Sequence, residues 1–269
     1  KFLKDAKKLN ILEHDVLPKA SDHIEEMIEV IKVLIDKEFA YEIDGNVYFK
    51  VEKFADYGKL SGNTLDKMDQ LLEAVRVSVE TDKKDSADFA LWKKAEDRVM
   101  SWDSPWGMGV PGWHIECSVM SMKYLGVSLD IHAGGEDLIF PHHEDEIAQA
   151  EAFSGEKFAR FWLHSSFLSV DKEKMSRSKG NVFTLSDVTQ NGFTPSAFRY
   201  LTYQTHYRAK MNFTWESLEG ASTALKKLYE IAGKLPEGEG YANKYEVEFL
   251  HVLGQDLNMP RALAVMWEM

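Results

Sequence analysis

One cysteine, Cys117, stands among 269 residues, so no disulfide can form within the chain, and a reducing cytoplasmic compartment is expected. Nowhere do apolar residues run for the roughly 18 positions that a membrane helix needs, so no membrane partner is expected. Basic residues are in deficit: 32 Lys and Arg against 44 Asp and Glu leave a net charge of −12. A chain that wrapped nucleic acid by bulk charge would carry the opposite sign, which confines any such contact to local basic patches. With only 17 glycines and 7 prolines, and with 44% hydrophobic and 28% charged residues, collagen-like and disordered classes drop out. The opening Lys1-Phe2-Leu3-Lys4-Asp5 lacks a signal-peptide pattern and an initiator Met, and Trp267-Glu268-Met269 falls inside a helical pattern. The chain is therefore expected to be a fragment of a longer one.

No repeat or low-complexity tract interrupts the sequence. Ile24, Met27, Ile28, Ile31, Leu34 and Ile35 share one helical face, and Asp22 with Glu25 three residues later predicts its capped start. Residues 40–51 alternate toward β, with Asp44-Gly45-Asn46 as a hairpin turn, and 81–88 is a charged loop. Trp102, Trp106 and Trp113 lie among Pro105, Gly107, Gly109, Pro111 and Gly112, a loop composition. Then come a helix over 115–125, a buried strand over 128–132 ending at Ala133-Gly134-Gly135, a helix over 142–153 and a strand over 161–170. Glycine at the C-terminal end of a strand, followed by helix and strand, predicts part of an open parallel α/β sheet. Beyond residue 194 the pattern is helical. Thr194-Pro195 is an N-cap with Pro at the first helical position. Leu218, Ala221, Leu225, Leu228, Ala232 and Leu235 make a bundle stripe. A linker at 236–240 precedes two more helices, the last opened by Pro260.

Three groups of residues carry chemistry. Cys117 is the lone thiol, and His142 and Glu146 are four apart on a predicted helix and share a face. Thiolate, imidazole and carboxylate together suit Zn²⁺. Spacing leaves His142 and His143 open, since Glu146 is also three residues from His143. The bland alternatives are a small buried cysteine and a solvated acidic helix start over 142–146 that the helix dipole favours. Asp171-Lys172-Glu173-Lys174-Met175-Ser176-Arg177-Ser178-Lys179-Gly180-Asn181 packs four bases against two acids into residues 171–179. Its hydroxyls and glycine suit a polyphosphate, while composition alone favours an exposed mobile loop with mixed charges. Ala133-Gly134-Gly135-Glu136-Asp137 would let a ligand approach the backbone, with an acid near ribose hydroxyls.

Taken together, residues 112–118 (Gly-Trp-His-Ile-Glu-Cys-Ser), 132–149 (from His132-Ala133-Gly134-Gly135 to Glu146-Ile147-Ala148-Gln149) and 174–181 closely resemble the cysteinyl-tRNA synthetase family of class I aminoacyl-tRNA synthetases. The last block matches the KMSKS signature, with Arg177 at its second lysine. Residues 57–62, 88–93 and 256–263 also look like family segments. The resemblance implies an α/β fold with three parts: a connective region over 1–110, the second half of an incomplete Rossmann-like parallel-sheet catalytic domain over 111–193, and the start of an α-helical bundle domain over 194–269. It implies that Cys117, His142 and Glu146 ligate one Zn²⁺ per chain, with a fourth ligand, a cysteine, and a HIGH motif both expected before Lys1, and an anticodon-binding end beyond Met269. It implies that Lys174 and Arg177 act on ATP, bound with Mg²⁺, that Gly134, Gly135 and Asp137 line the adenosine, and that Trp113 and His132 contact the substrate. The expected partners are L-cysteine, ATP and the tRNA for cysteine, and the expected state is a monomer. Two rivals remain: a cysteine ligase of mycothiol biosynthesis, with an amino-sugar acceptor in place of tRNA, and a non-catalytic zinc-stabilised binding module.

Overall fold

The computed structural model describes residues 1–62, 67, 83–95, 100–175, 180–235 and 243–269. The chain divides into two units, Val16–Leu163 and Lys1–Asp15 with His164–Met269. No helix among the described residues is long and apolar enough to cross a membrane.

In the first of these units the apolar stripe becomes a helix. Met27, Ile31 and Leu34 of Ile24–Asp36 are fully buried. The residue before it is His23, not Asp22, and no side chain caps the helix. The His23 ring instead reaches the Lys19 carbonyl and the Tyr124 hydroxyl. The predicted hairpin forms between β1 (Ala40–Ile43) and β2 (Asn46–Phe49), antiparallel. Its two turn residues, Asp44 and Gly45, both hold positive φ (51° and 88°), the conformation that matches the strands' twist. Two further strands, β3 (Phe89–Lys94) and β4 (Gly109–Pro111), complete an antiparallel sheet in the order β1-β2-β3-β4. Phe49 stacks on Phe89 with ring centroids 4.9 Å apart, in a core shared with the stripe of the helix.

From β4 the chain turns directly into a second helix, Trp113–Leu125. Gly112 sits at that junction, and a Cβ there would lie 2.1 Å from the Ala90 carbonyl oxygen of β3. Only glycine lets the helix start this close to the sheet. Strand β5 (Leu129–Gly135) pairs with β6 (Ala159–Ser165). The expected buried strand is corrected here: Leu129 is buried, but Ile131, two residues on along the same face, is 58% exposed, in a sheet that has two strands among the described residues. An irregular turn over Ile139–His143, with Phe140 extended, leads into the helix Glu144–Ser154.

In the second unit the expected strand over 161–170 is two strands, since the chain breaks at Ser166-Phe167 before β7 (Leu168–Val170). β7 pairs antiparallel with β8 (Glu173–Lys174) and parallel with β9 (Met211–Phe213). Asp171 and Lys172 make the intervening turn at positive φ. Around this sheet lie helices Phe2–Lys8, Leu185–Gln190, Pro195–Tyr203, Trp215–Ala232, Asn243–Leu253 and Met259–Glu268. Thr194 caps the third of these through Ala197 N–H, and Asn258 caps the last through Arg261 N–H, both with Pro in the first turn as expected. Leu218 and Ala221 of the bundle stripe are buried, but the helix ends at Ala232, and Leu235 lies past it and exposed. The expected linker at 236–240 falls outside the described residues.

Phe49→Ala is expected to cost about 3–5 kcal/mol of folding stability, read by urea denaturation. Gly112→Ala is expected to cost about 1–3 kcal/mol and to lower the thermal midpoint, since β3 and the helix start must part to admit one methyl group.

Candidate metal and substrate site

The site grows from the first turn of the helix Glu144–Ser154, where three acids follow one another. A solvated acidic helix start was one expectation, and burial overturns it: Glu144, Asp145 and Glu146 are 0%, 0% and 1% exposed. Each has its own partners. Glu144 accepts the N–H groups of Gly58 (3.1 Å) and Ser61 (2.6 Å). Asp145 accepts the Tyr57 hydroxyl and has His114 Nε2 at 3.1 Å from its Oδ2. Glu146 has His142 Nε2 at 2.8 Å from Oε1 and His132 Nε2 at 3.0 Å from Oε2.

The helix Trp113–Leu125 supplies the other half. Cys117, His142 and Glu146 each offer a ligand atom, and these atoms lie within 4.8 Å of one another. A second trio, His132, His143 and Glu146, meets the same measure. The two trios share Glu146, and only the first contains sulfur. The ring of Trp113 stacks on that of His142 at 4.1 Å between centroids and is itself 58% exposed, so it forms an outer wall over the imidazole. His132 clusters with Phe158 and Trp162, ring centroids 5.5 and 4.7 Å away, and meets His143 edge to face at 5.0 Å between centroids.

Electrostatics at the trio follow from burial. Burial pushes the Glu146 carboxyl up, and the close His132 and His142 rings outweigh it, so the group is held down to about 2 and is ionised. Burial first, then the Glu146 charge and its bond to the thiol, pushes Cys117 up to about 12. A neutral thiol beside an anion is the state expected without a cation, and a divalent ion reverses it by taking the thiolate. The residues fit Zn²⁺ on two counts. Soft sulfur, imidazole nitrogen and carboxylate oxygen form a borderline-soft donor set. Glu146 Oε2 is buried and makes no well-aligned hydrogen bond, despite the nearby His132, which leaves a lone pair to be used.

The glycines expected to face a nucleotide have local packing reasons as well. A Cβ on Gly134 would meet His143 Cε1 at 2.7 Å, and one on Gly135 would meet Asp137 Oδ1 at 2.5 Å. Gly134 is thus small because an imidazole lies on it. Lys174 sits on β8, in the other unit, and Arg177 lies outside the described residues. The sequence reading passed over His114, Asp145 and Tyr57. The available signal was His114 three residues before Cys117, one helical turn, on the same helix.

Comparison with known proteins was consistent with this geometry. In sequence, the chain is 44% identical over 282 residues to a cysteine–tRNA ligase of Caldicellulosiruptor saccharolyticus, covering 100% of this chain and 60% of that protein. It is 44% identical over 279 residues to that of Carboxydothermus hydrogenoformans (100% and 59%) and 49% identical over 246 residues to that of Pelotomaculum thermopropionicum (89% and 50%). The chain thus spans about 60% or less of the length of these curated relatives. In structure it resembles Mycobacterium tuberculosis methionyl-tRNA synthetase in complex with methionyl-adenylate (TM-score 0.64, 14% identity, 99% of this chain and 67% of that one). It also resembles a putative arginyl-tRNA synthetase from Campylobacter jejuni (TM-score 0.56, 14% identity, 97% and 55%). At such identities these likenesses establish the α/β fold alone. The sequence model described as tRNA synthetases class I (C) catalytic domain matches residues 1–223, and the chain belongs to that family.

Proposed function

We propose that the whole protein joins L-cysteine to its tRNA at the expense of ATP, through a cysteinyl-adenylate, and that Cys117, His142 and Glu146 hold a zinc ion that selects the substrate. The observation that carries this reading is the convergence of those three side chains, with His142 and Glu146 buried and Cys117 half-buried. It belongs to a chain whose relatives named above are cysteine–tRNA ligases.

When bound, zinc supplies a soft Lewis acid that takes a thiolate where serine's hydroxyl keeps its proton near neutral pH. A site built around one substrate group can reject an analogue lacking it by about 10⁴ or more without editing. The chain's own residues do the rest. Trp113 closes the outer side of the pocket over His142, and His132 braces Glu146. Gly134, Gly135 and Asp137 lie along the edge that receives the adenosine. Lys174 and Arg177 grip the triphosphate of Mg²⁺-bound ATP and stabilise the charge that moves onto pyrophosphate as the cysteine carboxylate attacks the α-phosphorus. Arg177 keeps the charge of a lysine and adds a planar fork.

The test uses the full-length protein. It is expected to carry one zinc per chain, to exchange pyrophosphate into ATP only with cysteine, and to charge the tRNA. Transfer of cysteine to an amino sugar and not to tRNA would favour the mycothiol-type ligase. Zinc loss that unfolds the protein, with no exchange activity, would favour a binding module. Cys117→Ser is expected to lose stoichiometric zinc and to lower cysteine activation by more than about 100-fold, measured by metal analysis and pyrophosphate exchange. Lys174→Ala is expected to lower kcat for exchange by about 10²–10³-fold while zinc content stays unchanged.

A further inference from the structure

The helix that carries Cys117 and the helix that carries Glu146 meet at a polar pair that the chemistry above does not use. Ser118 follows the thiol in sequence, and Gln149 stands one helical turn past Glu146. Both are 0% exposed. Ser118 Oγ lies 3.0 Å from Gln149 Oε1, 3.4 Å from the Glu146 main-chain carbonyl and 3.2 Å from the His114 carbonyl of its own helix. A hydroxyl has one proton to give and two lone pairs. Given to Gln149 Oε1, that proton leaves the amide Nε2 buried with no hydrogen-bond partner among the described residues. A half-turn of the amide puts Nε2 on the serine oxygen instead and turns the hydroxyl proton to a carbonyl. The bond between residues 118 and 149 persists in both arrangements.

Apolar side chains would fill this space at least as well. Ile115, Val119, Ala148 and Ala152 already pack in the core around the two helices, and replacing both partners of a buried bond by apolar groups of the same shape is nearly neutral. What apolar contact does not supply is register. It tolerates sliding of one helix along another, whereas a hydrogen bond weakens steeply once its geometry is disturbed. Fixing register is the best-attested use of a buried polar pair. Here register has a consequence, because Cys117 belongs to one helix and Glu146 to the other. Their ligand atoms, with that of His142, lie within 4.8 Å of one another only while the helices keep their places. We infer that Ser118 and Gln149 form a clasp that sets the register of the two helices, and with it the spacing of thiol and carboxylate. Both are positioning residues, and neither supplies a ligand atom. The inference rests on the zinc reading above and adds to it the pair that spaces the ligands.

The test uses the full-length protein and compares the parent with Ser118→Ala and with the double variant Ser118→Ala, Gln149→Met, in which both partners become apolar at little change of shape. Zinc affinity is measured by competition with a chromophoric chelator, and the double variant is expected to bind zinc about 10–100-fold more weakly. Cobalt in place of zinc is expected to give it a visible spectrum shifted from that of the parent. Its thermal midpoint in excess zinc is expected to fall by about 3–10 °C at most, the share that weaker zinc binding itself removes. Ser118→Ala alone strands the amide and is expected to melt below the double variant. Parent-like affinity and cobalt spectrum in the double variant overturn the inference. A double variant that melts far below that range overturns it too, because the pair then holds up the fold rather than the ligands. So does a single variant as stable as the double one, since no bond then joined the two residues. A parent that binds no zinc overturns the metal centre itself, and this inference with it.

Discussion

Three adjacent carboxylates without solvent are the constraint around which the site is arranged. An ion taken out of water costs several kcal/mol unless it is paired and hydrogen-bonded, so Glu144, Asp145 and Glu146 each demand a partner set. The partners come from distant parts of the chain. Glu144 draws in the backbone of Gly58 and Ser61, Asp145 draws Tyr57 and His114, and Glu146 draws His132 and His142. Satisfying the helix therefore fixes the loop after the hairpin, the second helix and strand β5 at once. Those are the elements that carry the proposed ligands and their walls.

The kind of partner matters as much as the number. Among the described residues, two backbone amides, a phenol and three imidazoles lie against the three acids, and none of these groups carries a permanent positive charge. Arginine or lysine would have neutralised the acids and closed the pocket to cations. The Glu146 carboxyl is held low by the two imidazoles beside it, while burial and that carboxylate push the neighbouring Cys117 thiol up. A divalent ion balances both, which is the physical support for reading the trio as a metal centre.

How much of this could be read in advance depended on range. Signals that act within a few residues were legible. Asp44-Gly45 gave its hairpin, Thr194-Pro195 and Asn258 with Pro260 gave their helix starts, and the four-residue step from His142 to Glu146 gave a shared face. What depended on partners far away in sequence was not. The acids over 144–146 look soluble until Tyr57, Gly58 and His114 are seen against them. Strand β3 was missed because its residues, Phe89 to Lys94, alternate poorly. It is an inner strand buried on both faces at Leu91 and Trp92, and such strands lose period-two patterning. Conversely Ile131 looked like core and is not, since apolar character cannot report how many strands flank its own.

The passage from β4 into the helix Trp113–Leu125 consists of a single residue, Gly112. Such a junction has no slack. An α-helix advances by about 100° per residue, so inserting or deleting one amino acid there would swing the sulfur of Cys117 nearly a third of the way around the axis, and His114 with it. Loop insertions are ordinarily the cheapest changes a fold can accept. At this splice, chain length is held as tightly as side-chain identity, because the sheet end and the helix face are geared together tooth by tooth.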